Sequence, residues 1–142
     1  MISLRSPVCE TSDDFAETML GKPYRDRCCG VDAVDCWGLV VLYHRLVDGV
    51  NIHHSEEYSA GGDFVTCHDE EVSFWREVSE PRRGDVVVAY RGSRPAHVGL
   101  WWRRDTILHS REKTCVRFDR IATLERLSTK LRFLRYADNS HP

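Results

Sequence analysis

The sequence predicts an α+β fold, with N-terminal helices packed on a mostly antiparallel β-sheet, and three observations carry that expectation. Helical periodicity with capping signals occupies the first half of the chain, and short β-branched or aromatic runs occupy the second. Turn residues join those later runs, which is the layout of a meander rather than of alternating parallel units. At 142 residues the chain has the length of one ordinary domain, long enough to bury a core, so residues 1–142 are read as a single domain.

Ser12 or Asp13 is expected to cap a first helix through Phe15, Ala16, Met19 and Leu20, stopped by Gly21 and Pro23. A loop from 22 to 34 then delivers a second helix over roughly 36–47, with Trp37, Val40, Val41, Tyr43, Leu46 and Val47 as its apolar positions. Asp35 is its N-cap, and Asp48-Gly49 ends it. Residues 50–69 carry little periodicity and read as loop, and a third helix is expected over 70–78, burying Val72, Phe74 or Trp75, and Val78. After turn chemistry at 81–85, strands are expected at 86–90, 97–102, 106–110, 115–118 and 131–136, with a short helix over 121–127. No repeat or low-complexity tract is visible.

Composition narrows the function. With 42% hydrophobic residues, 30% charged residues and a formal net charge of -2, nothing attracts nucleic acid in bulk, and no nucleic-acid partner is expected. Basic residues gather toward the C-terminus, from Arg103 to Arg135, and read as a solvated face or, alternatively, as a docking surface for an anionic partner. The N-terminus has no apolar signal-like core, and nothing approaches the ~20 apolar residues of a membrane span. Synthesis in a cytoplasm without a signal peptide, and no membrane insertion, are the expectations. The six cysteines include no C-x-x-C pair and read as thiols in a reducing compartment. His53-His54 and Cys67-His68 lack ligand spacing, so neither metal nor cofactor is expected.

One cysteine stands apart. Cys36 opens the second helix directly after Asp35, where unpaired backbone N–H groups and the helix dipole favour a thiolate. That placement predicts a thiol pKa lowered into the range of roughly 3.5 to 7.5 if an imidazolium is near. His97 and His109 are an even number of positions apart, and a hairpin turn centred near Arg103 sets them opposite one another on one sheet face. If the Cys36 end of the helix packs onto that face, thiol, first imidazole and second imidazole form a nucleophile, base and orienter.

These residues carry a family resemblance. Gly21-Lys22-Pro23-Tyr24, Asp35-Cys36-Trp37-Gly38-Leu39-Val40, Gly84-Asp85-Val86-Val87, Ala96-His97-Val98-Gly99-Leu100 and Ile107-Leu108-His109-Ser110, in that order, resemble the NlpC-type cell-wall peptidases, papain-like cysteine hydrolases of bacterial peptidoglycan. The resemblance implies Cys36 as nucleophile, His97 as general base, His109 as the residue holding the His97 ring, and Tyr24 beside the oxyanion with the Cys36 backbone N–H. It also places Asp35, Trp37 and Gly38 at the substrate. The implied reaction is hydrolysis of an amide in the peptide stem, typically between D-glutamate and the diamino acid, through a thioester and without metal.

Many members have serine where this chain has Trp37, and the form with tryptophan resembles the branch found in tail proteins of long-tailed bacteriophages. The expectation is therefore a phage tail-tip enzyme, held in the virion by other tail-tip proteins and acting in the periplasm or cell wall on the stem peptide. A docking component of the tail tip with little activity, and an exported bacterial cell-wall hydrolase toxin, are the alternatives.

Overall fold

The structure is a computed structural model and describes residues 11–25, 28, 30–50 and 75–136. Among these residues the helices are α1 (Ser12–Met19), α2 (Cys36–Tyr43) and α3 (Ile121–Leu127). The strands are β1 (Trp75–Glu77), β2 (Val86–Arg91), β3 (Arg94–Arg103), β4 (Thr106–Ser110), β5 (Val116–Arg120) and β6 (Lys130–Tyr136). They form one sheet in the order β1-β6-β2-β3-β4-β5, with every neighbouring pair antiparallel. This is the expected α+β class.

The capping signals act locally, as the residue types require. Thr11, one residue before the expected Ser12 or Asp13, caps α1 by accepting from Asp14 N at 3.1 Å, and the helix buries Phe15, Ala16 and Met19. Asp35 caps α2, whose residues from Trp37 to Tyr43 are all buried. A helix apolar all round belongs in a core. Beyond Tyr43 it widens into a π-helical turn over His44–Asp48, ended by Gly49 at φ 70°, so the expected C-terminal glycine is in place.

One expected helix is a strand where the structure describes it. Trp75, Arg76 and Glu77 pair with Tyr136, Arg135 and Leu134, and the Trp75 and Tyr136 rings meet edge-on at 4.9 Å. Cross-strand burial of an aromatic pair outweighs the helical spacing that the local sequence suggests. Residues 70–74, and the histidine and cysteine pairs at 53–54 and 67–68, lie outside the described residues.

The sheet is covered on both sides. On one face α2 packs against Val86, Val88, Tyr90, Val98, Leu100, Trp102 and Leu108. On the other, Leu124 of α3 packs with Val87, Ala89 and Ile107. Burial on both faces explains why Val86 to Tyr90 reads as an unbroken apolar run. Trp101 and Trp102 divide between the faces, with Trp102 fully buried and Trp101 half-buried.

The turn before β2 is locked by a buried ion pair. Asp85 accepts from Arg135 Nε at 2.9 Å and Nη2 at 2.6 Å, and from the Arg82 backbone N–H at 2.7 Å. The bidentate bond also raises the Arg135 pKa. Asp85→Ala leaves a partly buried guanidinium without its partner, and is expected to lower unfolding stability by about 2 kcal/mol, read from urea titration. A change below about 1 kcal/mol would show that water replaces the carboxylate.

Candidate active site

The segment entering α2 is tied to the sheet from two sides. Ser110 Oγ on β4 donates to the Val34 carbonyl at 2.9 Å, and the Cys36 sulfur lies against the backbone N–H of Val98 on β3. The described pairing of β3 with β4 runs from Arg103↔Thr106 to Leu100↔Leu108 and stops there. The segment that carries Cys36 therefore meets β3 and β4 beyond the described end of their pairing, on the stretches that carry the two histidines. Cys36 itself is half-buried and, like Cys28 and Cys115, a free thiol.

Two imidazoles and a carboxylate continue from there in a hydrogen-bonded row. His97 Nε2 lies 2.8 Å from His109 Nδ1, and His109 Nε2 lies 2.7 Å from Asp119 Oδ2. Arg117 Nε holds the same Asp119 oxygen at 3.1 Å, and Arg111 stands 4.0 Å from it. His109 is 1% exposed, and a Cβ on Gly99 would come within 3.0 Å of the His109 Cβ, so that glycine makes room for the second imidazole. Asp119 was not among the residues the sequence singled out. Its signal was a charged residue two positions after Arg117, on the strand face that carries Ile107 and His109.

The expected geometry needs two corrections. Leu100 opposes Leu108, so His97 and His109 are diagonal neighbours and not directly opposite. An even offset preserves their common face. That face is the one carrying Ala89 and Ile107, whereas α2 packs on the other. Cys36 thus reaches the histidine strand at its backbone, next to His97, instead of lying on the histidine face.

A third correction concerns charge. The N–H groups of Val98, Trp37 and Cys36 do favour the thiolate as helix-start placement implies, but burial and then the Asp35 carboxylate outweigh them and push the thiol up to about 12. Burial, followed by His109 and the Arg111 charge, lowers His97 to about 3, and burial also lowers His109 despite its bond to Asp119. At rest the thiol of Cys36 and the imidazole of His97 are both neutral, not the expected ion pair.

These shifts set a pH dependence of stability. Between about 3 and the ordinary 6.5 the unfolded chain binds a proton at His97 that the folded chain refuses, so stability falls as pH drops through that window. Above the ordinary 9.0 the unfolded chain releases the Cys36 proton that the folded chain keeps, so stability falls again toward 12. In urea titrations from pH 4 to 10, the difference in unfolding free energy between the wild type and His97→Ala is expected to grow with pH up to about 6.5 and then level off. A difference independent of pH would contradict the buried neutral imidazole.

The remaining expected site residues divide. Tyr24 is half-buried in a segment bridged to Val34, with Arg25 N donating to Val34 O at 3.2 Å, so the structure brings it to the stretch that delivers Cys36. Asp35, Trp37 and Gly38, which the resemblance places at the substrate, each make contacts within the protein. Asp35 is 3% exposed and spends its carboxylate on Gly38 N at 2.6 Å. Trp37 is buried edge-on against Trp75, and among the described residues its indole N–H meets no acceptor. At Gly38 an added Cβ would fall 1.9 Å from the Cys28 carbonyl oxygen, which itself accepts from Asp35 N at 3.1 Å. All three fix the approach of the loop to the nucleophile.

An opening of about 280 Å³ lies on the histidine face, lined by His97, His109, Ala89 and Leu124 with Arg91 and Arg111 at its edge. Among the described residues no group of three or more metal-ligating side chains occurs. No described helix is long and apolar enough to cross a membrane.

Comparison with known proteins agrees with the fold. The structure resembles an NlpC/P60 family protein from Bacillus cereus, with a TM-score of 0.64 and 18% identity over 95% of this chain and 42% of that one. It resembles NlpC2 from Trichomonas vaginalis with a TM-score of 0.62 and 17% identity, over 93% of this chain and 49% of that one. The NlpC/p60 domain of the peptidoglycan hydrolase SagA matches with a TM-score of 0.58 and 18% identity, covering 79% of this chain and 87% of the domain. The chain thus spans less than half of the first two proteins and most of the third. No curated protein matches the sequence. The family model for NlpC/P60 matches residues 21–131, a stretch that holds Tyr24, Cys36, His97, His109 and Asp119, and the chain belongs to the NlpC/P60 family.

Proposed function

We propose that this chain is a cysteine endopeptidase that hydrolyses an amide bond in the stem peptide of peptidoglycan. The observation that carries the reading is the thiol of Cys36 held against Val98 N, one residue from an imidazole that is itself hydrogen-bonded to a second imidazole. The likeness to the domain of a peptidoglycan hydrolase supports the substrate class.

In this mechanism Cys36 Sγ attacks the amide carbonyl carbon while its proton passes to His97. The transfer creates both charges together, and their mutual attraction away from bulk water offsets much of the cost. The oxyanion is stabilised by the Cys36 backbone N–H and the Tyr24 hydroxyl. His97 then gives the proton to the leaving amine as the C–N bond breaks, leaving a thioester. A water deprotonated by His97 attacks the thioester, and the acid product and the thiol are restored.

The carrier we propose is the tail tip of a long-tailed bacteriophage, with other tail-tip proteins as partners and the periplasm or cell wall as the place of action. Trp37 following the nucleophile supports this, as a sequence resemblance to that branch. Purified peptidoglycan is digested with the chain and the muropeptides are read by mass spectrometry, which reports activity and bond identity together. New free amines on stem peptides are expected. Intact stems at high enzyme concentration would favour a docking component of the same fold. Detection of the chain in purified virions by mass spectrometry tests the carrier, and its absence there favours an exported hydrolase.

A further inference from the structure

The row of side chains behind the nucleophile does not end at the second imidazole. Asp119 is 14% exposed at its side chain, accepts at Oδ2 from His109 Nε2 at 2.7 Å, and is held by Arg117 Nε at 3.1 Å on that same oxygen. A carboxylate paired with a guanidinium only accepts hydrogen bonds, and a neutral imidazole carries one N–H and one bare nitrogen. The consequences propagate in one direction. His109 Nε2 must carry the proton that Asp119 accepts, which leaves His109 Nδ1 bare. Only His97 Nε2–H can then donate across the 2.8 Å contact between the rings, which leaves His97 Nδ1 bare.

We infer that Asp119 is a positioning residue that, acting through His109, fixes both imidazoles in the Nε2–H form and so makes Nδ1 of His97 the basic nitrogen. Without the carboxylate either nitrogen of His109 could carry its proton. Where Nδ1–H forms, His97 Nε2 must accept and its own proton moves to Nδ1, the nitrogen needed as a base. The neutral state of both rings that this logic uses agrees with the burial that lowers both their pKa values. The position of Asp119 on the outer strand β5 is made firm by its register, since it opposes Ile107 while Arg117 opposes His109. The catalytic consequence rests on the hydrolase reading, whereas the protonation pattern does not.

Two-bond ¹H–¹⁵N correlation spectra of the full, uniformly ¹⁵N-labelled chain at pH 7 assign which nitrogen of each ring is protonated. Nε2–H is expected at both His97 and His109 in the wild type. Asp119→Ala is expected to show Nδ1–H at His109, and kcat on peptidoglycan is expected to fall on the order of 10- to 100-fold with KM within about threefold. Asp119→Asn, whose amide oxygen accepts from the same two donors, is expected to retain the wild-type ring pattern. Nδ1–H at His97 in the wild type overturns the inference, as does an alanine variant with both rings unchanged or an asparagine variant as mixed as the alanine one. A wild type with the expected ring pattern but no cleavage of peptidoglycan removes the hydrolase reading and leaves the positioning role of Asp119 standing.

Discussion

Cys36→Ala is expected to lower peptidoglycan cleavage on the order of 10⁴ to 10⁶-fold, to the edge of detection, while leaving the fold in place. The size follows from the proposed chemistry, since without the thiol water would have to attack the amide with no thioester route. The fold is expected to survive because the thiol is half-buried at the first residue of α2, and the cap that starts the helix is the Asp35 carboxylate on Gly38 N. Removing the thiol also removes a group that disfavours ionisation, so the alkaline loss of stability should weaken in the variant. The measurement is initial rate of muropeptide release alongside a urea midpoint at pH 7 and pH 10. Residual cleavage within tenfold of wild type would mean that the thiol is not the nucleophile.

The same residue shows where sequence reasoning runs out. Helix-start placement of Cys36 and its backbone donors were legible, because the cap and the apolar helix are local patterns. Whether the thiol ionises depends on the depth of burial and on a carboxylate one residue away, and burial is a property of the packed whole. The Asp35 side chain was legible as a cap but not as a charge opposing the thiolate. One carboxylate does both.

The sheet divides in the same way. Val86 to Tyr90 was legible as a strand because β-branched residues run unbroken between turns, and the common face expected for His97 and His109 is kept by the irregularity between Trp101 and Arg103. Their diagonal offset did not follow, because the turn lies at Arg104–Asp105 and not at Arg103, which shifts the register of β4 along β3. Trp75 read as helical because its neighbours space like a helix, whereas its partner Tyr136 lies at the far end of the chain. Asp119 was hidden for a related reason. Its role exists only once β5 is paired to β4, and a lone aspartate near a run of arginines looks like surface charge. Trp37 and Gly38 were legible as part of a motif, but their roles in packing appeared only with the Cys28 carbonyl and Trp75 beside them.

His97→Ala is the second large effect, with kcat expected to fall about 10² to 10⁴-fold and KM to stay within about threefold. In the proposed mechanism both proton transfers run through this ring, so its loss removes a base from thioester formation and an acid from amine departure. The ring is partnered by His109 and adjoins the opening lined by Ala89, Ala96 and Leu124, so alanine leaves a vacancy continuous with that space. Free imidazole is therefore expected to restore part of the rate in His97→Ala, and none in Cys36→Ala. The restored rate should saturate with imidazole, because His109 offers a fixed hydrogen-bond partner in the vacancy. It should also depend on the neutral form, falling as pH drops below the imidazole pKa, since a cation neither accepts the thiol proton nor settles easily beside Arg111. A loss below tenfold in the variant would take His97 out of the chemistry. Equal rescue of both variants would show that imidazole acts on the substrate in solution, which places the base elsewhere.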